Sequence, residues 1–329
     1  MSSAPLTPRE FWIGAGCAAA VLLIWTSFIL IARTSAKLSL TPFDISWLRF
    51  VFSGVVVLPV LWWRWSRFKA GLGATPQQFY QRLAFLAGIA GIGYCMLAYS
   101  GFFLAPVAHG AVLLPGSLPL WTALLAWLWL GESLSRGRAI GLALIACGGM
   151  LVGGMSVLRA LTDGGGVWRG DLLFVAASLT WASYGVLCRR WRIGAVDATL
   201  AIAFGCLITY VPIYGLGVLA GWIPSQLSSA PWGEIWFQAS YQGGLAMLAA
   251  GLCYTQVVQT FGPLRTTMVT ALVPPTAALL AVPLLGEPLG LTALAGLLCV
   301  GLGLLVGLRA AAPKLKQPGV PEVKVEVLR

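Results

Sequence analysis

Charge is scarce in this chain. Of its 329 residues only 9% are Asp, Glu, Lys or Arg, against roughly 25% in an average soluble domain. A water-facing globule could not clothe its surface with so few. Histidine is scarcer still, with one in the whole sequence. With no carboxylate pair beside a histidine or cysteine, there is little material for hydrolytic or metal chemistry. No catalytic residue, metal site or cofactor is expected. The seven cysteines (Cys17, Cys95, Cys147, Cys188, Cys206, Cys253 and Cys299) lie inside or at the ends of apolar blocks, and none forms a C-x-x-C pair. They read as small packing residues rather than a disulfide frame. The ten-residue alternation of an outer-membrane barrel is also missing. The apolar run from Phe11 to Ala32 exceeds a signal-peptide core of about 7–15 residues and no clean A-x-A site follows it, so it reads as a first membrane span.

What the chain has is apolar surface: 59% of its residues, in blocks of about 20. That is the length needed to cross a hydrocarbon core about 30 Å thick at about 1.5 Å per residue. Ten blocks can be marked, near 11–33, 44–63, 83–104, 106–130, 138–158, 171–190, 198–221, 238–260, 264–285 and 289–309. Polar connections separate them, among them the basic RWSRFKAGLGATPQQFYQR, the Gly-rich RALTDGGGVWRGD and the Pro- and Ser-rich GWIPSQLSSAPWGE. The fold class is an all-α integral membrane protein of ten transmembrane helices. The net charge of +11 belongs to cytoplasmic loops rather than to nucleic-acid binding, since no basic stripe with interleaved aromatics stands outside a membrane-sized block. With a cytoplasmic N-terminus, sixteen Lys and Arg fall on the inside and four on the outside (Arg33, Lys37, Arg159 and Arg169), with Arg49 inside a span. This bias places both termini in the cytoplasm of a cell inner (plasma) membrane protein. The charged, Pro-interrupted tail 310–329 is expected to be disordered.

The two halves echo each other. Trp25 and Trp181, Ser27 and Ser183, and Arg33 and Arg189 are each 156 residues apart. Tyr99 and Tyr254, Pro119 and Pro274, Leu130-Gly131-Glu132 and Leu285-Gly286-Glu287, and Gly141 and Gly296 are each 155 apart. Seven matches in register point to a duplicated unit of five spans. Five is odd, so the second copy enters the bilayer from the opposite face. Such inverted repeats build many secondary transporters, with the substrate near the midplane between the halves and access alternating by rocking.

The segments GDLLFVAASLTWASYGVLCRR (170–190), WLRF (47–50), LGESLSRGRAIGLALIACGGMLVGG (130–154) and LGEPLGLTALAGLLCVGLGLLVG (285–307) resemble the EamA family of the drug/metabolite transporter superfamily. The resemblance covers about residues 11–155 and 168–308, one five-helix repeat each. It implies ten helices, a central cavity and movement of small metabolites such as amino acids, often outward. It names no single substrate.

Candidate substrate-binding residues are polar or aromatic groups deep in spans. Trp25 and Trp181 lie mid-span, away from the headgroup level where Trp usually sits. They either form two walls of a chamber, offering flat rings to an apolar or cationic solute, or pack between helices. Tyr184 follows Trp181 by three residues and shares its face. Tyr99, Tyr254 and Gln256 are buried polar groups that need partners or a wet cavity, as do Tyr94 and Gln259, which could equally serve packing or helix ends. Ser27 and Ser183 read as interhelical hydrogen-bond donors. Pro119 and Pro274, with Pro115 and Pro275, interrupt the fourth and ninth spans as gates or static kinks. His109 reads as a helix-end residue or a proton-coupling group. Arg49, five residues after Asp44, is expected to snorkel. Glu132 and Glu287 are expected to cap the N-terminus of the helix that follows each. With no acid confidently mid-membrane, the reading leans toward facilitated diffusion or exchange. Gly149-xxx-Gly153 and Gly303-xxx-Gly307 pack the halves together or a second copy of the chain as a homodimer. The WWRW run (62–65), Trp127 and Trp129 read as an interfacial belt.

The function expected is a secondary transporter, an exporter of small organic metabolites such as amino acids that works by alternating access, with a small-molecule substrate and membrane lipid as partners. Efflux of aromatic or cationic drugs is an alternative, and a lipid-modifying membrane enzyme or a non-transporting receptor are readings of other classes.

Overall fold

The computed structural model describes residues 7–163 and 165–311; the tail expected to be disordered lies almost wholly outside them. Ten helices are long and apolar enough to span a bilayer: α1 Pro8–Ser35, α2 Pro42–Leu72, α3 Pro76–Leu104, α4 Val107–Leu130, α5 Arg136–Thr162, α6 Val167–Trp191, α7 Ala195–Leu219, α8 Trp232–Gly262, α9 Arg265–Leu285 and α10 Leu291–Ala310. No strand occurs among the described residues.

Local sequence explains where the helices begin. Thr-Pro steps start the first three. Thr7, Thr41 and Thr75 each accept a bond from the backbone N–H three residues on, and proline, which has no N–H to leave unpaired, takes the first helical position. Several helices outrun the apolar blocks. The basic connection after the second block is mostly helical, because α2 continues to Leu72 and α3 restarts at Pro76. Its charges are carried by aromatic rings at the membrane edge: the Lys69 ammonium lies 5.8 Å from the Trp65 ring and the Arg82 guanidinium 5.5 Å from Trp191. Trp62 and Trp63 are exposed nearby, as a belt requires.

The halves interlock rather than sit side by side. Extensive helix contacts join opposite halves: α5 with α10, α2 with α7, α4 with α6 and its counterpart α9 with α1, α3 with α6 and its counterpart α8 with α1, and α2 with α8 and its counterpart α7 with α3. Each pair either maps onto itself or onto another pair when the repeats are exchanged, which is what a two-fold relation demands. Smaller features obey it too. The turns after α4 and α9 end on Gly131 and Gly286, both left-handed with φ of 68° and 67°, where a side chain would be strained. In α3 and α8 the backbone widens to π-helical spacing over the equivalent stretches Leu86–Gly93 and Ala239–Ala249, a rare geometry that often marks functional regions.

Glycine brings α5 and α10 together, and of the two expected motifs the second takes part. Gly303 and Gly307 both lie against Gly141, and Gly148 lies against Gly296, whereas Gly149 and Gly153 make no close contact with α10. A Cβ at Gly141 or Gly148 would stand 2.6 Å from the opposing carbonyl oxygen. Gly141 with Gly296, and Gly148 with Gly303, are repeat equivalents, so the two contacts cross symmetrically. In lipid, where burial of apolar surface drives nothing, this close backbone approach is what binds the helices.

Two ion pairs cross the seam in the same way. Arg33 Nε meets Glu287 Oε1 at 2.6 Å on one face of the bundle, and Arg189 meets Glu132 on the other. Arg33 and Arg189 are repeat equivalents, as are the two glutamates. The expected capping role is thus corrected: among the described residues, the side-chain bonds of both glutamates go elsewhere than to the helix that follows. Each pairs with the first helix of the opposite half, and Glu287 Oε2 also accepts from the backbone N–H of Val107 at the start of α4, 2.8 Å away. The tertiary fold brings Val107 closer than the next helix in sequence. The two pairs are unequal. Arg33 and Glu287 are 19% and 16% exposed, Arg189 and Glu132 54% and 36%, and Arg33 Nη1 donates in addition to Phe102 O at 2.9 Å.

Two outcomes are expected. Gly148→Leu forces α5 off α10 and costs about 1–3 kcal/mol of stability, read as a fall in melting temperature in detergent; an unchanged midpoint refutes the packing account. Glu287→Gln lowers the midpoint clearly more than Glu132→Gln, since a shielded pair leaves an unpaired charge behind while an exposed pair is worth about 0–1 kcal/mol. Equal losses contradict it.

Candidate functional site

The two central tryptophans each reach across the seam. Trp25, on α1, stacks on Tyr254 of α8, with ring centroids 5.5 Å apart and planes at 25°. Trp181, on α6, lies 4.8 Å from Tyr94 of α3 and 4.8 Å from Tyr184, one turn along its own helix. All five rings are partly rather than fully buried. The rings form two clusters across the seam, Trp25 with Tyr254 and Trp181 with Tyr94 and Tyr184, together called the aromatic arc. Of the sequence candidates, Trp25 and Tyr254 meet in one cluster, Trp181 and Tyr184 in the other, and Tyr94 joins the second.

Tyr99 goes elsewhere. Although it is the repeat equivalent of Tyr254, it is fully buried and belongs to a polar chain. Its hydroxyl accepts from Arg49 Nη1 at 3.3 Å and donates to Gln242 Oε1 at 2.9 Å. Gln242 Nε2 donates to Gln238 Oε1 at 3.2 Å, Gln238 Nε2 to Ser35 Oγ at 2.8 Å, and Ser35 Oγ to Ile31 O at 2.8 Å. All the donors point away from the Arg49 cation, so each dipole in the chain is favourably polarised by it. Gln256, by contrast, bonds Thr260 one turn on at 3.1 Å and Gln259 is exposed. Two residues from Tyr254, Gln256 lies on a different face of α8 from the stacked ring.

Several expectations need correction. Arg49 does not snorkel; it is 8% exposed and turned inward, 5.9 Å over the Phe28 ring. Asp44 cannot draw it out, because its oxygens are taken by the backbone N–H groups of Thr41 and Gln226, at 2.8 and 3.0 Å, and by the Tyr214 hydroxyl. Ser27 does meet another helix, at the Tyr241 hydroxyl, which also donates to Ile24 O at 3.0 Å. Ser183 bonds only its own helix, at Leu179 O. His109 is not an isolated helix-end group: its Nδ1 lies 2.9 Å from Asp171 Oδ1, and Asp171 is 4% exposed. Asp171 borders a groove of about 410 Å³ between α4, α5 and α6, lined by apolar residues including Val112, Trp121 and Met150, away from the aromatic arc. Pro119 stays inside a continuous α4, whereas Pro274 opens the second part of α9 after a break at residues 271–272.

Sequence reading missed Gln238, Gln242 and Asp171. The signal for the glutamines was there: two amides four residues apart in an apolar run occupy one helix face and need a common partner. Among the described residues no three His, Cys, Asp or Glu side chains gather as a metal site would require.

Comparison with known proteins places this architecture. The sequence pattern of the EamA-like transporter family matches residues 12–154 and again 168–309, one match for each half. A curated relative named "Uncharacterized transporter YyaM", from Bacillus subtilis (strain 168), is 28% identical over 226 residues, 66% of this chain and 70% of the relative. The fold is also similar to that of a crystal structure described only as that of a protein, with a TM-score of 0.57 at 20% identity, covering 91% of this chain and 97% of the other. This multi-pass membrane protein, built from two repeats that interlock across a central seam, belongs to the EamA-like transporter family of the drug/metabolite transporter superfamily.

Proposed function

We propose that the chain is a secondary transporter that exports small organic metabolites, amino acids among them, across the cell inner membrane by alternating access. One observation carries this reading: the equivalent residues Trp25 and Trp181 both cross the seam to tyrosines of the opposite half. A rocking of one half against the other would open and close precisely this kind of ring-lined junction, and the aromatic faces offer a solute apolar area and a negative quadrupole. The substrate-binding set is Trp25, Trp181, Tyr184 and Tyr254, joined by Tyr94, with Tyr99 behind it and Gln256 at its margin. The broken α9 at Pro274 supplies a hinge, with the unbroken Pro119 helix as its stiffer counterpart. Both termini face the cytoplasm, as the distribution of Lys and Arg favours. The same rings suit aromatic or cationic drugs, which is the second reading.

The test is uptake into proteoliposomes of radiolabelled amino acids, nucleobases and organic cations, with and without a pH gradient. Entry of an amino acid or related metabolite faster than into empty vesicles is expected; movement of organic cations alone favours drug efflux, and no movement at all defeats the transport reading for these solutes. Trp25→Ala and Trp181→Ala should each cut the rate about tenfold, ~1.4 kcal/mol, while insertion and melting behaviour persist. Normal rates in both variants reduce the rings to packing. Labelling of single cysteines placed after residues 36 and 194 should find the first outside and the second inside; both on one side contradicts the topology.

A further inference from the structure

Arg49 poses a charge problem that the rest of the molecule avoids. It lies seven residues into α2, roughly 10 Å from the helix start at about 1.5 Å per residue. Only 8% of it is exposed. Among the described residues the other cations that meet an acid each have a partner: Arg33 has Glu287, Arg64 has Asp197, Arg189 has Glu132, and His109 has Asp171. Among the described residues, no carboxylate pairs with Arg49. Asp44, the acid on its own helix, is saturated by other donors. The groups that contact Arg49 are neutral: the Tyr99 hydroxyl of α3 and the Phe28 ring of α1. Its Nε is buried and has no hydrogen-bond partner, and neither does the Oγ of Ser53, four residues on along the same face of α2.

A buried cation held by one phenol and a ring face is incompletely compensated, and an ionisable side chain inside a membrane span points to function. Arg49 is also linked to the aromatic rings through α1: the Phe28 ring beneath its guanidinium follows Trp25 by three residues, on the same face of the helix. Guanidinium presents paired donors that match a carboxylate.

We propose that Arg49 is the anion-recognition residue of the central site, and that the transported solute carries a carboxylate, which pairs with this guanidinium while the rest of the molecule lies against the rings. This rests on the transport reading and narrows its substrate class to organic acids and amino acids. The Tyr99–Gln242–Gln238 chain positions the guanidinium by holding Nη1 on one side. Ser53 Oγ supplies a further donor to the bound acid.

Matched acid and amide probes test it. L-phenylalanine is compared with L-phenylalaninamide, L-leucine with L-leucinamide, and benzoate with benzamide, both as solutes taken up by proteoliposomes and as ligands that raise the melting temperature of the purified full chain. The acids should enter at least about tenfold faster than their amides and stabilise the protein where the amides do not. Arg49→Gln should erase the difference, and Arg49→Lys should retain part of it, a point charge without the planar fork. If amides or organic cations enter the wild-type vesicles as fast as the acids, the assignment of Arg49 is overturned while the transport reading stands. If no probe of either kind enters, both fall. Should Arg49→Gln fail to fold, the wild-type acid-to-amide ratio decides the matter alone.

Discussion

A bilayer core supplies neither water nor counter-ions, so every polar group in this chain must find its partner within the protein. That requirement accounts for the ten helices, whose backbone groups bond internally. It accounts for the hydroxyls of Ser27, Thr34, Ser35, Ser183 and Thr209, which bond carbonyls three or four residues back on their own helices. It also explains why the amides of Gln238 and Gln242 form a ladder that ends on Ser35 rather than lying free. Against this background Arg49 is distinguished by having no carboxylate beside it among the described residues, whereas Arg64 and Asp171, which also leave a buried polar atom without a partner, each have an ion-pair partner.

The two-fold relation between the halves is held by contacts of two kinds. Backbone meets backbone at Gly141–Gly303 and Gly148–Gly296, where nothing larger than hydrogen fits. Charge meets charge at Arg33–Glu287 and Arg189–Glu132, one pair toward each end of the helices. The glycines hold the halves in close contact, and the ion pairs tie them toward the helix ends. Their unequal shielding shows that the symmetry of sequence is broken in the structure: the pair bearing Arg33 is the better buried.

Symmetry is broken again at the centre, in the partners of the two equivalent tyrosines. Tyr254 stacks on Trp25, but its equivalent Tyr99 turns away from Trp181 to bond Arg49, leaving Tyr94 to face the ring. No arginine occupies the position in α7 equivalent to Arg49, which falls near residue 205, a glycine packed against Ala87. A duplicated scaffold thus carries a single cation beside a shared set of rings. One half contributes charge and both contribute aromatic surface.

Much of the architecture was legible in residue order alone. Block length and the scarcity of charge determine ten spans, because the bilayer thickness is a fixed ruler. The offset of 156 and 155 residues determines two inverted halves, because five crossings reverse direction. Trp25, Trp181, Tyr184 and Tyr254 were recognisable because a large polar-tipped ring away from the interface needs a reason to be there. Which groups those side chains touch was decided only by tertiary structure. The partners of Arg33 and Arg189 lie 254 and 57 residues away; Asp44 was spent on Tyr214 and Gln226; of the two G-x-x-x-G patterns only Gly303–Gly307 packs the halves, against Gly141, while Gly149 and Gly153 do not. Sequence spacing reports which residues share a face of one helix, but a hydrogen bond or ion pair between helices depends on how the faces are turned toward each other, and that is set by all ten packing together.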